Sequence, residues 1–159
     1  MHIPDKELHR ITSTAIIHRD GKFLLLKRAM HKKAFPGKWT VPGGGLTTDD
    51  YIDTPKTTDD HWYGALEKAL RREILEESGT TVGRLEYLLD ITFLLPNGSP
   101  VLILSWHAPY ESGDVVIDAE SEAYAWATYE EAKSYDLIEG ILGELKMVDD
   151  ILRDRQMRK

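Results

Sequence analysis

The sequence has 159 residues, 42% hydrophobic and 30% charged, a composition that fits one globular domain over residues 1–159 and excludes disorder and fibrous repeats. Its 20 Lys+Arg against 27 Asp+Glu give a formal net charge of -7, a field that repels phosphate backbones and argues against nucleic acid as a partner. Cysteine is absent, which removes disulfides, thiolate metal sites and cysteine nucleophiles; with no apolar run near ~20 residues and no signal-peptide pattern over residues 1–7, a cytoplasmic location away from membranes is expected.

In chain order, the alternating run Ile11-Thr12-Ser13-Thr14-Ala15-Ile16-Ile17 predicts a strand, and Asp20-Gly21 turns it into a second strand over 22–27. A basic stretch, Lys27-Arg28-Ala29-Met30-His31-Lys32-Lys33, leads through Phe35-Pro36-Gly37-Lys38 to a short strand, Trp39-Thr40-Val41. Pro42-Gly43-Gly44-Gly45 is expected to stop it, because consecutive glycines accept positive φ and let backbone approach a ligand. Residues 46–60 carry five Asp against one Lys and read as an exposed loop. A helix is expected over 61–78, with Asp59 or Asp60 as N-cap and Gly79 as its stop. Two long strands, 84–95 and 101–110, are joined by Pro96-Asn97-Gly98-Ser99, and Val115-Val116-Ile117 is expected to extend or pair with them. Residues 123–127 read as a strand, Thr128 and Glu131 as a capping box, and 137–155 as a terminal amphipathic helix. Strands split around one central helix, with another helix at the end, predict an α/β/α sandwich over a mixed β-sheet.

The central helix carries the chemistry. On a wheel of ~100° per residue, Trp62, Leu66, Ala69, Leu70 and Ile74 form the core stripe, and Glu73, Glu76 and Glu77 fall inside it. Like charges at i,i+3 and i,i+4 repel, and burying each carboxylate costs several kcal/mol unless it is neutralised. An all-oxygen cluster suits a hard divalent cation, Mg²⁺ or Mn²⁺, which keeps positions open for water and phosphate. The spacing of a Ca²⁺-binding EF-hand loop is not present.

Arg72-Glu73-Ile74-Leu75-Glu76-Glu77-Ser78-Gly79, with Pro42-Gly43-Gly44-Gly45-Leu46 before it, resembles the Nudix box, G-x5-E-x7-R-E-U-x-E-E-x-G-U with U a bulky apolar residue. Trp39-Thr40-Val41-Pro42 and Leu26-Lys27-Arg28 are similar to the segments that precede the box. The sequence departs from the pattern in three places. Eight positions before Arg72 stands Gly64 where the family has Glu; Gly44 and Gly64 are 20 positions apart against 6 in the pattern, an excess of 14; and the final U position is Thr80. The loop glutamate is therefore expected to be missing or replaced from the extra segment, 47–60, by Asp49, Asp50, Asp59 or Asp60.

The resemblance implies a Mg²⁺-dependent hydrolase, with Mn²⁺ as a substitute metal, that cleaves a diphosphate linkage in a small nucleotide substrate: a dNTP, ADP-ribose, a nucleotide sugar or a dinucleoside polyphosphate. It implies metal binding by Glu73, Glu76, Glu77 and the Gly43 carbonyl, with Arg72 orienting a carboxylate. Glu73, Glu120 and Glu122 are the candidates for the base that activates water. Arg28 and Lys38, with Lys32 and Lys33, form the basic patch a polyphosphate needs, and Trp39 is a stacking candidate along with Phe35, Tyr51 and Trp62. The lost loop glutamate leaves a second reading open, a catalytically weakened nucleotide-binding or sensing module. Monomer and homodimer are both compatible with the sequence.

Overall fold

The computed structural model describes residues 6–159; residues 1–5, part of the N-terminal stretch read above for a signal peptide, lie outside the described residues. The strands are β1 (Arg10–Arg19), β2 (Lys22–Arg28), β3 (Trp39–Thr40), β4 (Gly43–Gly45), β5 (Thr81–Val82), β6 (Glu86–Leu94), β7 (Pro100–Ser112) and β8 (Ser121–Ala127). The helices are α1 (Ala65–Ser78), α2 (Tyr129–Ala132) and α3 (Ile141–Met157). Strand β1 lies parallel to β7 over nine residue pairs, while its other neighbours, β2 and β4, run antiparallel to it. Strands β8 and β3 flank β2, and β6 covers the far edge of β7. The sheet is thus mixed, as expected.

Alternation along β1 and β2 builds two cores, because successive side chains leave opposite faces of a strand. Ala15, Ile17, Leu24 and Leu26 meet Leu70 and Ile74 of α1 on one face. Ile16, Phe23 and Leu25 meet Ile141, Leu145 and Val148 of α3 on the other. The result is the α/β/α sandwich expected from the order of elements, with the carboxylate-bearing helix on one side and the terminal helix on the other. No helix among the described residues is long and apolar enough to cross a membrane.

Several boundaries differ from expectation. Helix α1 begins at Ala65 after Gly64 in the left-handed region, and neither Asp59 nor Asp60 caps it. The intervening residues spend their hydrogen bonds on one another: the Thr57 amide donates to the His61 carbonyl, and the His61 amide donates to the Thr58 hydroxyl. Amides used in such turns cannot enter a helical ladder. The strand at Trp39 ends at Thr40, before Pro42 as expected, but the three glycines then form strand β4, and none of them has positive φ. The glycines serve close approach instead: a Cβ on Gly43 would lie 2.3 Å from the Ser13 carbonyl oxygen of β1. Val115 and Ile117 join no strand; they pack against the α1-side core, and the Val116 amide donates to Ser78 O at the end of α1. Helix α3 starts at Ile141 rather than 137, because Leu137 and Ile138 are drawn into backbone pairing with Trp39. The segment 46–60 is exposed as expected, apart from Leu46, Asp50 and Tyr51, and holds a 3-10 turn at Thr48–Asp50.

Candidate active site

The first half of the site is a backbone edge. Strand β4 is pressed between β1 and α1 so closely that a Cβ on Gly44 would lie 2.3 Å from the Glu73 carboxylate carbon. Beside it the Gly43 amide donates to Glu77 Oε2 at 3.1 Å. Glycine at 44 lets the Glu73 carboxylate lie against main chain, where a larger residue would hold it away, and glycine at 43 lets β4 itself sit against β1.

The carboxylates differ in surroundings. Glu77 is the most enclosed: burial, with repulsion from Glu73 and Asp118, pushes its carboxyl up to about 7, against the opposing pull of the Gly43 amide and the Arg28 guanidinium. Glu73, its side chain 19% exposed, is also raised by burial, with Arg72 pulling the other way. Glu76 is 55% exposed and pairs with Arg72 at 3.0 Å, so the wheel placed it too far inside. A carboxyl near neutrality among like charges is a group that a divalent cation would ionise. Among the described residues, no three Asp, Glu or His side chains already converge as a metal cage. Glu73 and Glu77, two hard oxygen donors with solvent beside them, fit a cation such as Mg²⁺ that takes few protein ligands and keeps its waters.

Arg72 sits at the centre of the ion pairs. It contacts Glu73 at 3.0 Å, Glu76 at 3.0 Å and Asp50 at 2.6 Å, and its Nε donates to Asp50 Oδ1 at 2.9 Å. Asp50 is only 5% exposed, and Arg72 and the Thr47 amide and hydroxyl hold its carboxyl below the usual range despite burial. Counting back from Arg72 reaches Gly64, but counting forward from Gly44 past five residues reaches Asp50. The structure places Asp50, the residue of the forward count, on Arg72. Asp49, Asp50, Arg72 and Glu73 line one cavity of about 590 Å³ with Gly45, Thr47, Lys68 and Ala69.

The remaining candidates divide by location. Arg28 reaches the site: it interacts with Glu77 through space, and its Nε donates to the Ala34 carbonyl at 2.8 Å. Lys38 is bound to Asp136 at 2.6 Å, and Trp39 packs edge-on against Tyr135 at 4.8 Å in the α3-side core. Glu120 and Glu122 are engaged by Lys32 and Lys27 in ion pairs. The acid that the structure sets near Glu77 is Asp118, which sequence reasoning missed. Its signal was weak: one Asp in an irregular segment, whose approach to α1 depends on the Val116 amide meeting Ser78 O.

A family model described as "NUDIX domain" matches residues 8–148. Nucleoside triphosphatase NudI of Klebsiella pneumoniae (strain 342) is 31% identical over 133 residues, covering 77% of this chain and 84% of the relative. The protein of that name from Escherichia coli O81 (strain ED1a) is 32% identical over 132 residues, with the same coverage. Among solved structures, a MutT NUDIX hydrolase from Burkholderia pseudomallei superposes with a TM-score of 0.69 at 26% identity, covering 88% of this chain and 98% of that one. The NUDIX domain of Shewanella oneidensis NrtR, solved with ADP ribose, shares the fold at TM-score 0.69 and 18% identity, covering 92% of this chain and 90% of that one.

Proposed function

Because the chain belongs to the NUDIX domain family, we propose that it is a Mg²⁺-dependent pyrophosphohydrolase that cleaves a diphosphate linkage in a nucleotide, with a nucleoside triphosphate as the first substrate to test. The observation that carries this reading is the pair of carboxylates, Glu73 and Glu77, set against the glycine edge of β4, with Glu77 accepting from the Gly43 amide at 3.1 Å. The NudI relatives support the choice of triphosphate through their name as nucleoside triphosphatases.

Glu73 and Glu77 would hold the metal, with Glu76 at the exposed margin. Bound Mg²⁺ supplies charge stabilisation for phosphate oxygens and an acidified water. The chain supplies the rest. Arg72, fixed by Asp50, holds the Glu73 carboxylate in place, and Arg28 adds positive charge near Glu77, where it would attract a phosphate. Glu73, lifted above its ordinary range, is the group we assign to accept the proton of the attacking water. The reading as a weakened binding module rested on a lost loop acid, and Asp50 on Arg72 supplies one.

The test is phosphate or pyrophosphate release with and without Mg²⁺, across the dNTPs, ADP-ribose, nucleotide sugars and dinucleoside polyphosphates. Metal-dependent turnover that vanishes in Glu77→Gln, with the fold intact by circular dichroism, is the expected result. Binding without release on every substrate would overturn the hydrolase reading.

A further inference from the structure

The extra segment between Asp50 and α1 is closed on itself immediately beyond the residue that holds Arg72. Tyr51 and Trp62, eleven positions apart, meet with ring centroids 5.3 Å apart. The Lys56 ammonium lies 5.2 Å from the centroid of the Trp62 ring. The Trp62 indole N–H donates to the Thr54 carbonyl at 3.0 Å, and the Thr54 hydroxyl and amide both donate back to the Tyr51 carbonyl, at 2.8 and 2.9 Å. Between Tyr51 and Tyr63 every residue other than Tyr51 and Trp62 is exposed, and neither aromatic belongs to either core cluster. The clasp therefore organises the loop rather than the core.

Its position gives it a task. Asp50 is gripped from the chain before it by the Thr47 amide, which donates to Oδ2 at 2.8 Å, and its Oδ1 faces Arg72. The chain after it is the long segment. An open tether there would let the Asp50 backbone sample many conformations, and ordering each of its residues costs conformational entropy. Closing the segment by a ring contact and an indole hydrogen bond removes that freedom before substrate arrives.

We propose that Trp62 is a positioning residue for catalysis: the Tyr51–Trp62 clasp fixes Asp50, Asp50 fixes Arg72, and Arg72 fixes the Glu73 carboxylate. The effect on turnover rests on the hydrolase reading above, whereas the effect on the Asp50–Arg72 pair does not. Two measurements on the full chain separate them. The first is kcat and KM for the nucleoside triphosphate that the wild type hydrolyses fastest, with saturating Mg²⁺. The second is solvent exchange of the Arg72 Nε–H proton by NMR without nucleotide, the signal being assigned by its loss in Arg72→Lys.

Trp62→Ala is expected to lower kcat about tenfold with KM within about twofold, and to speed Nε–H exchange at least about tenfold. Trp62→Phe, which keeps the ring contact, is expected to recover most of both, and neither variant should shift the melting temperature. Trp62→Ala with wild-type exchange overturns the clasp, whatever happens to turnover. Faster exchange with unchanged kcat overturns its catalytic role. If the wild type hydrolyses no nucleotide, the hydrolase reading fails by itself, and the exchange measurement still decides whether the clasp holds Asp50 on Arg72.

Discussion

Replacing Gly44 by Ala should disable the site without unfolding the protein. The added Cβ would sit 2.3 Å from Glu73 Cδ, 2.6 Å from Oε1 and 2.7 Å from Cγ. Ordinary carbon contact begins near ~3.5 Å, so the Glu73 carboxylate must retreat by about 1.2 Å. All three atoms belong to the far part of a flexible side chain, so the backbone of β4 and the packing of α1 can stay in place. A displacement of ~1 Å in a reacting group costs on the order of 100-fold in rate, or ~2.7 kcal/mol of transition-state stabilisation. The assay is Mg²⁺-dependent turnover of the best nucleotide alongside thermal melting. Gly143→Ala on α3, where a Cβ meets nothing within 4 Å, serves as the comparison and should leave turnover unchanged. A Gly44→Ala protein that melts normally and keeps kcat/KM within about threefold of wild type would refute the claim that the glycine edge sets the Glu73 position.

Three further outcomes follow from the site and its surroundings. Asp118→Asn should cost more than about tenfold in turnover, while Glu120→Gln and Glu122→Gln stay within about twofold; the reverse order would restore the two glutamates as the working acids. In metal-free protein, Glu77 has a folded pKa raised to about 7 from 4.5, so its protonated form favours the folded state. Its contribution is fully present below about pH 4.5 and is lost as pH rises through about 7. The wild type should therefore lose stability relative to Glu77→Gln between those pH values, measured as the difference between their melting temperatures; a flat difference would refute the burial of that carboxyl. On the other face, the buried Glu144 carboxyl accepts a hydrogen bond from the Ser105 hydroxyl at 2.5 Å. Ser105→Ala leaves it unpartnered and should cost ~1–3 kcal/mol, a fall of several degrees in melting temperature.

The architecture was legible because it rests on periodicity. Ile16 and Ile17, or Leu24 and Leu25, go to opposite cores simply by being neighbours on a strand. The enclosed carboxylates of α1, Glu73 and Glu77, were legible for the same reason, as charges placed where an amphipathic helix should be apolar. What the sequence concealed was set by tertiary contact. Glu76 falls within the stripe by angle yet lies at the exposed end of the Arg72 pairs. The acid on Arg72 was one of four candidates, and two Asp-rich clusters, 49–50 and 59–60, offered no local ground for choosing between them. Asp118 was hidden because nothing in its own neighbourhood reports that the segment 113–118 folds over the end of α1. Lys38 and Trp39 looked like ligands in isolation and are taken up by Asp136 and Tyr135, partners about a hundred residues away.

The parallel ladder between β1 and β7 has a consequence for how the molecule is made. Its pairs, from Arg10 with Val101 to His18 with Pro109, join residues about ninety positions apart. Such long-range closure is slow relative to local pairing, because the chain entropy is spent before contacts reward it. The β1–β2 hairpin can close early during synthesis, whereas β7, which supplies Ala108 to the α1-side core, must wait for residue 109. Chains arrested or truncated before that point would carry Ile16, Ile17, Phe23 and Leu24 without the partner strand, an exposed apolar ribbon of the kind that drives misassociation.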